Sequence, residues 1–251
     1  MSNRLDPDQP SLNVGKGAQR FHELSLRDDS EIDSVLELLE QLDDNPGLKD
    51  LRVLELACAT GRVTLPLAAA GHRVLAVDSH PDLLTILRSR LDGKELGCPT
   101  TAARVEVQQA DPLSLRTEER FKAVCLMSAA ITKFSPEQQR QVLRHAAAHV
   151  APGGMLIVST DLVAVGTAGT SSVILLPRIS LTETVDPAAS LRRTVLAWGE
   201  ESYVTDHCLL PPARLSAELR HLGLSPAFQR SVQDPALPHH SNVVIGASRS
   251  R

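Results

Sequence analysis

The chain has 251 residues, 42% hydrophobic and 22% charged, which is the size and composition of one globular domain and excludes a disordered polypeptide. Aromatic residues make up only 2% (one Trp, one Tyr, four Phe), so the core is aliphatic, and a reader of carbohydrate or single-stranded nucleic acid, which relies on stacking, is disfavoured. A net charge of −4 provides no global basic field for phosphate backbones, so no nucleic-acid partner is expected.

Residues 1–20 hold Pro, Gly, Asn and Ser without periodicity and read as a mobile arm. Met1–Leu12 lacks the apolar core of a signal peptide. Ser30, with Asp33 three residues on, opens the first clear helix, whose stripe is Ile32, Val35, Leu36, Leu39 and Leu42. Asp43, Pro46 and Gly47 end it, so residues 1–50 form an arm and cap helix ahead of a main domain over 51–251.

Strand and helix then alternate. Arg52–Ala57 is a short apolar run, hence a buried strand; Gly61–Ala70 is helical; His72–Asp78 is a second strand. Ser79 is placed to cap the helix that follows, with Pro81 and Asp82 in its first turn, running to Leu91. Arg104–Gln109 and Phe121–Ser128 are the third and fourth strands. Ser135-Pro136-Glu137-Gln138 is a capping box for a helix reaching Val150, and Met155–Thr160 follows the Pro152-Gly153-Gly154 turn as the fifth strand. This rhythm means a parallel sheet covered by helices on both faces. Leu162–Pro177, the longest uncharged run, is shorter than a membrane span. Residues 172–210 break the rhythm with three β-like stretches, Val173–Ser180, Leu191–Trp198 and Ser202–Leu210, separated by short turns. They form an antiparallel insertion that is too short to bury its own core, expected as a lid or a homodimer surface. Pro211–Leu222 is a helix, and Phe228–Val232 and Asn242–Ala247 are the last strands. Cys58, Cys98, Cys125 and Cys208 are scattered, which fits reduced thiols in a cytoplasmic protein and no metal site.

The segment Val53-Leu54-Glu55-Leu56-Ala57-Cys58-Ala59-Thr60-Gly61-Arg62 carries the chemistry. A strand ends in a turn of small residues and a helix starts at once. In an open parallel sheet, ligands bind outside the carboxyl ends of the strands, and small residues there let backbone approach ligand. Asp78 ends the second strand, where a carboxylate can accept both hydroxyls of a ribose. Asp111 ends the third. A dinucleotide site needs Gly-x-Gly-x-x-Gly, and here Arg62 occupies the last of those positions.

The spacing instead resembles motif I of the class I S-adenosylmethionine-dependent methyltransferases, acidic-x-Gly-x-Gly-x-Gly, and the resemblance runs across Val53–Thr160. Ala57 and Ala59 stand where Gly is usual; each adds a methyl beside the ligand and penalises positive φ. The resemblance implies a Rossmann-like doubly wound sheet of seven strands, the last antiparallel, in the order 3-2-1-4-5-7-6. It also implies S-adenosyl-L-methionine as cofactor. Glu55 would sit near the methionyl amino group, and Ala57, Ala59, Thr60 and Gly61 would wrap the methionyl part. Asp78 would hold the ribose and Asp111 the adenine, and Ser79, Pro112 and Met127 would complete the cofactor-binding set. Leu54–Leu67, Leu210–Leu224 and Pro238–Ala247 look more narrowly like methyltransferases of peptide natural-product clusters, notably the daptide type. That implies methyl transfer, chiefly to an amine nitrogen, on a small molecule or ribosomally made peptide.

Other residues are weighed against plainer roles. Asp78 could cap the next helix, a task Ser79 already offers. His145 and His149 have i, i+4 metal-ligand spacing but no accompanying glutamate, and read as a solvated face. His239 and His240 lie in the 233–241 loop, which should overhang the ligand edge, and a histidine there could accept a proton from a nucleophile. No residue is assigned as the catalytic base. A nucleotide-dependent oxidoreductase and a non-catalytic cofactor-binding partner protein remain as other readings.

Overall fold

The computed structural model describes residues 10–29, 31–42, 51–93, 99–164, 167–233, 237 and 239–250. Ser30, Asp43, Pro46, Gly47 and Cys98 lie outside them. The elements in chain order are α1 (Gly15–Ser25), α2 (Ile32–Leu42), β1 (Arg52–Leu56), α3 (Thr64–Ala69), β2 (Arg73–Asp78), α4 (Pro81–Asp92), α5 (Pro99–Ala102), β3 (Val105–Gln109) and β4 (Phe121–Leu126). A 3-10 turn (Ala130–Lys133) follows, then α6 (Pro136–His149) and β5 (Val150–Val163). β6 (Gly169–Leu176), β7 (Ile179–Asp186), β8 (Leu191–Trp198) and β9 (Glu201–Cys208) come next, and α7 (Pro212–His221), β10 (Leu224–Gln233) and β11 (His240–Arg249) complete the chain.

The main sheet has the order β10-β11-β5-β4-β1-β2-β3. That is the expected 3-2-1-4-5-7-6, with β11 antiparallel to both β5 and β10. Strand residues alternate between two aliphatic layers. Leu54, Leu56, Val124, Leu126, Leu156 and Val158 face α6 and α7, which contribute Val142, Leu143, Leu215 and Leu219. Val53, Ala123, Cys125, Met155 and Ile157 face the other way, against Val35, Leu38 and Leu39 of α2 and Leu84 and Leu87 of α4. Helices on both faces explain why these strands read as continuous apolar runs. The Ser135 capping box forms as expected: its hydroxyl accepts the Gln138 N–H and the Gln138 side chain accepts the Ser135 N–H.

Residues 15–20, expected as part of a mobile arm, are instead the first half of α1. The helix is too polar to announce itself, and tertiary contacts hold it. An added Cβ at Gly17 would overlap the Ser11 carbonyl, so the preceding turn packs directly on the helix backbone. Asp82 Oδ2 accepts the Gly15 N–H at 2.6 Å.

The insertion is a separate sheet, β6-β7-β8-β9, with one strand more than expected. The predicted stretch Val173–Ser180 spans the end of β6, a tight turn and the start of β7. Pro177 and the left-handed Arg178 (φ 68°) sit at the two central positions, the type II pattern that ordinarily shows a glycine. With Arg there, the break is invisible in an apolar run. Ile179, Leu196 and Tyr203 cluster with Leu12 and Leu24, so this sheet buries its inner face partly against the N-terminal segment. Arg20 of α1 stacks over the Trp198 ring at 4.5 Å and bonds Glu201 at 3.1 Å.

Candidate active site

The order of the sheet reverses between β1 and β4, and ligands of doubly wound folds sit at that crevice. The turn after β1 is shaped for it. Ala57, Ala59 and Gly61 all adopt positive φ (56°, 50° and 85°), so the three positions of the motif share one left-handed geometry although two are alanine. Gly61 cannot be larger: an added Cβ would overlap Leu87 Cδ1. The helix expected from Gly61 begins only at Thr64, because residues 59–63 are spent on the turn.

Several bonds hold the turn in place. The Cys58 N–H reaches the Val77 carbonyl at 3.0 Å and the Gly61 N–H the Cys58 carbonyl at 3.0 Å. Arg90 donates to the Thr60 carbonyl at 2.7 Å. Asp78 Oδ2 accepts the Ala59 N–H at 2.9 Å, and Asp78 Oδ1 accepts the His80 N–H at 2.9 Å. Asp78 is therefore buried and structurally engaged, not a solvated carboxylate facing an open cleft. Burial pushes its carboxyl up, but the His80 and Ala59 bonds outweigh that and hold it below its ordinary value. Two backbone bonds and the His80 ring leave part of its acceptor capacity for a ligand.

Glu55 points from β1 beneath the turn, 3% exposed, and accepts the Thr64 hydroxyl at 2.6 Å. Burial lifts its carboxyl to about 7, against the pull of the Thr64 bond and of Arg62. Glu55, Ala57, Ala59, Thr60, Gly61 and Asp78 thus come together as the sequence expects. Ser79 does not cap α4: His80 takes the N-cap position without a side-chain bond, and Ser79 is exposed with its hydroxyl 3.2 Å from His80 Nδ1. The Ala110 N–H bonds the Asp78 carbonyl, which places Asp111 and Pro112 beside Asp78. Asp111 Oδ1 accepts the Leu113 N–H at 2.9 Å, a turn-opening bond. The Met127 side chain is core, in the layer with Cys58 and Val63.

The structure adds residues that no short motif flags. His22 Nδ1 and the Ser25 hydroxyl of α1 lie 3.2 and 3.4 Å from Thr60 Oγ1, so α1 walls the turn. Lys133 ends the 3-10 turn after β4, with its ammonium 5.3 Å from the Phe21 ring. Lys133 is exposed. Partial desolvation by neighbouring protein lowers its ammonium, and Asp78 and Asp161 only partly offset this.

His239 and His240 meet the insertion sheet instead of an open cleft. His239 Nε2 is 2.5 Å from Glu183 Oε2, and His240 Nε2 is 3.1 Å from both Arg192 Nη1 and Asp161 Oδ1. Arg192 also pairs Asp161 at 2.5 Å and Glu183 at 3.0 Å. Asp161 is buried, which raises its carboxyl, but Arg192 and His240 outweigh this and bring it to about 2. His207 is kept neutral, lowered to about 3 by burial and by Arg192, and its Nδ1 lies 3.0 Å from the Thr132 hydroxyl. This ionic cluster fastens β7 and β8 to β5 and β11, and the Thr132 bond of His207 ties β9 to the 3-10 turn. His145 and His149 lie on α6, where His149 is buried with Nδ1 2.8 Å from the His145 carbonyl.

Residues 53–154 match the model of a methyltransferase domain family. Over 150 residues the chain is 29% identical to ribosomal RNA small subunit methyltransferase J of Alkalilimnicola ehrlichii, covering 57% of this chain and 54% of that protein. Over 105 residues it is 36% identical to the cypemycin N-terminal methyltransferase of a Streptomyces species, covering 41% of this chain and 38% of that one. The chain spans about half the length of the first of these relatives. Among solved structures, the sugar N-methyltransferase KedS8 of Streptoalloteichus sp. ATCC 53650 superposes with a TM-score of 0.66 at 19% identity, covering 100% of this chain and 98% of that one. At that identity the likeness speaks to the fold.

Proposed function

We propose that the chain, whose residues 53–154 match a methyltransferase domain, is a class I S-adenosylmethionine-dependent methyltransferase that moves the methyl group to an amine nitrogen on a small molecule or a ribosomally made peptide of secondary metabolism. The observation that carries this reading is the left-handed turn Ala57–Gly61 at the β1/β4 crevice, with Asp78 bonded to its backbone and Glu55 beneath it. S-adenosylmethionine, when bound, supplies a methyl on a positively charged sulfur that a nucleophile displaces in line. Glu55 is the residue for its amino group, the turn for the methionyl chain, Asp78 for the ribose and Asp111 for the adenine, with Ser79 and Pro112 beside them.

The protein's remaining work is to align the acceptor, exclude water and remove a proton from the acceptor nitrogen. Lys133 Nζ, exposed in the 3-10 turn after β4 beside Phe21 of α1, is the group we assign to that proton, and His207 of the insertion sheet meets the same turn at Thr132. The net charge of −4 favours a small acceptor over RNA. A relative named for methylation of an N-terminus supports nitrogen as the atom. The cover made by residues of α1 and β6–β9 is where acceptor choice resides.

Calorimetric titration of the parent and of Asp78→Ala with S-adenosylmethionine tests the cofactor assignment, with reduced nicotinamide cofactors as the control. Losing one charge-assisted bond to a ribose hydroxyl should weaken binding roughly ten- to a hundredfold. Because Asp78 also satisfies the Ala59 and His80 N–H groups, the free variant should lose about 1–3 kcal/mol of stability. A folded Asp78→Ala protein that binds as tightly as the parent overturns the assignment. Mass spectrometry of candidate amines for one or two added methyl groups then tests the acceptor class.

A further inference from the structure

Arg62 follows the cofactor turn and has no role in the chemistry above. Its side chain is 9% exposed and joins three segments. It donates to the Asp28 carbonyl at 3.1 Å and to the Ser128 hydroxyl at 2.7 Å, and it pairs with the Glu31 carboxylate. Glu31 is fully buried just ahead of α2. Its Oε2 also accepts the Ser128 N–H at 2.9 Å, and its Oε1 accepts Asn242 Nδ2 of β11 at 2.6 Å. Ser128 and Ala129 are left-handed (φ 59° and 46°), as are Ala57, Ala59 and Gly61. One ion pair therefore locks together the two left-handed turns that end β1 and β4, on either side of the crevice. It also pins Asp28 and Glu31, three and six residues after α1, whose His22 and Ser25 rest on Thr60.

A buried guanidinium–carboxylate pair adds little net stability over apolar packing; its attested use is to fix register. We propose that Arg62 and Glu31 are positioning residues: the pair sets the spacing of the two crevice turns and seats α1 over the cofactor, so that cofactor binding and closure of the N-terminal segment are coupled. This rests on the reading of the turn as the S-adenosylmethionine site. The guanidinium is required because one planar fork reaches Asp28, Glu31 and Ser128 together, whereas an ammonium is a single point charge.

The experiment compares the parent with Arg62→Lys, which keeps the charge beside Glu31, and with Asn242→Ala, which removes one of Glu31's bonds at a distance from the turn. Melting without ligand, calorimetric affinity for S-adenosylmethionine, and amide hydrogen exchange over residues 15–25 are measured. Arg62→Lys should melt close to the parent yet bind roughly tenfold more weakly, and α1 should exchange faster both without ligand and with it. Asn242→Ala leaves a buried Glu31 oxygen without its donor, so it should melt lower, and it should bind roughly threefold more weakly with faster exchange of α1. If affinity falls only in proportion to melting temperature, or if folded Arg62→Lys matches the parent in affinity and α1 protection, the coupling is wrong. A parent that does not bind S-adenosylmethionine refutes the cofactor reading instead. The ligand-free exchange of α1 still decides whether the pair seats that helix.

Discussion

Ala57 and Ala59 hold φ values of 56° and 50°, where a Cβ crowds the following carbonyl at a cost of about 1–2 kcal/mol. Glycine removes that strain but gives back part of it as chain entropy, so Ala57→Gly and Ala59→Gly should each stabilise the free protein by about 0.5–1 kcal/mol, read as a rise in melting temperature of about 1–4 °C. Lower melting in either variant would mean that the methyls pack better than their backbone strain costs. Glu55 supplies a pH signature. Below pH 4.5 both folded and unfolded chains hold its proton. Between 4.5 and about 7 the unfolded chain releases it while the folded one keeps it, so this group's contribution to stability is lost as pH rises through that window. The lift corresponds to on the order of 3 kcal/mol. Glu55→Gln should therefore gain on the parent between pH 4.5 and about 7 in ligand-free melts and level off above that. A difference that does not change with pH would show that Glu55 titrates normally.

The motif strands, the capping box at Ser135 and the strand order were legible in the sequence because each rests on local chemistry: apolar runs, a Ser-Pro-x-Gln start, and a turn of small residues followed by an acid at the next strand end. What stayed hidden depends on contacts far apart in the chain. α1 is helical because Gly17 meets the Ser11 backbone, Asp82 receives its first N–H, and Arg20 finds Trp198 and Glu201. Asp82, Trp198 and Glu201 are out of reach of any sequence window. The β6–β7 hairpin was hidden for the opposite reason: its turn is local, but Arg178 occupies the left-handed position that a glycine would have announced. In the site, Glu55 and Asp78 could be read, while Glu31, Lys133 and Asp161 could not. A lone Glu or Asp acquires meaning only when the fold buries it, and Lys133 only when the fold sets it beside Phe21.

The molecule is a cofactor-binding sheet roofed by a second sheet, joined through Arg192, Glu183, Asp161, His239 and His240. Replacing residues 169–208 by a short flexible linker should leave S-adenosylmethionine binding measurable, since the turn, Glu55 and Asp78 lie outside it. Transfer to any amine that the parent methylates should fall roughly a hundredfold or more, because alignment of the acceptor is lost. Undiminished turnover by the roofless protein would show that the second sheet has no part in the reaction. The cut must stop at Cys208, because Leu210 is buried in the main core. The place of β11 in the main sheet bears on how the chain is made. It lies between β5 and β10 but is the last of the described strands to leave a ribosome. Until residues 240–249 emerge, β5 has a bare edge, β10 has no neighbour, and Glu31 waits for a partner 211 residues downstream. Between the synthesis of β5 and that of β11 the nascent polypeptide thus carries an open strand edge, the kind of edge at which a partly made sheet mispairs.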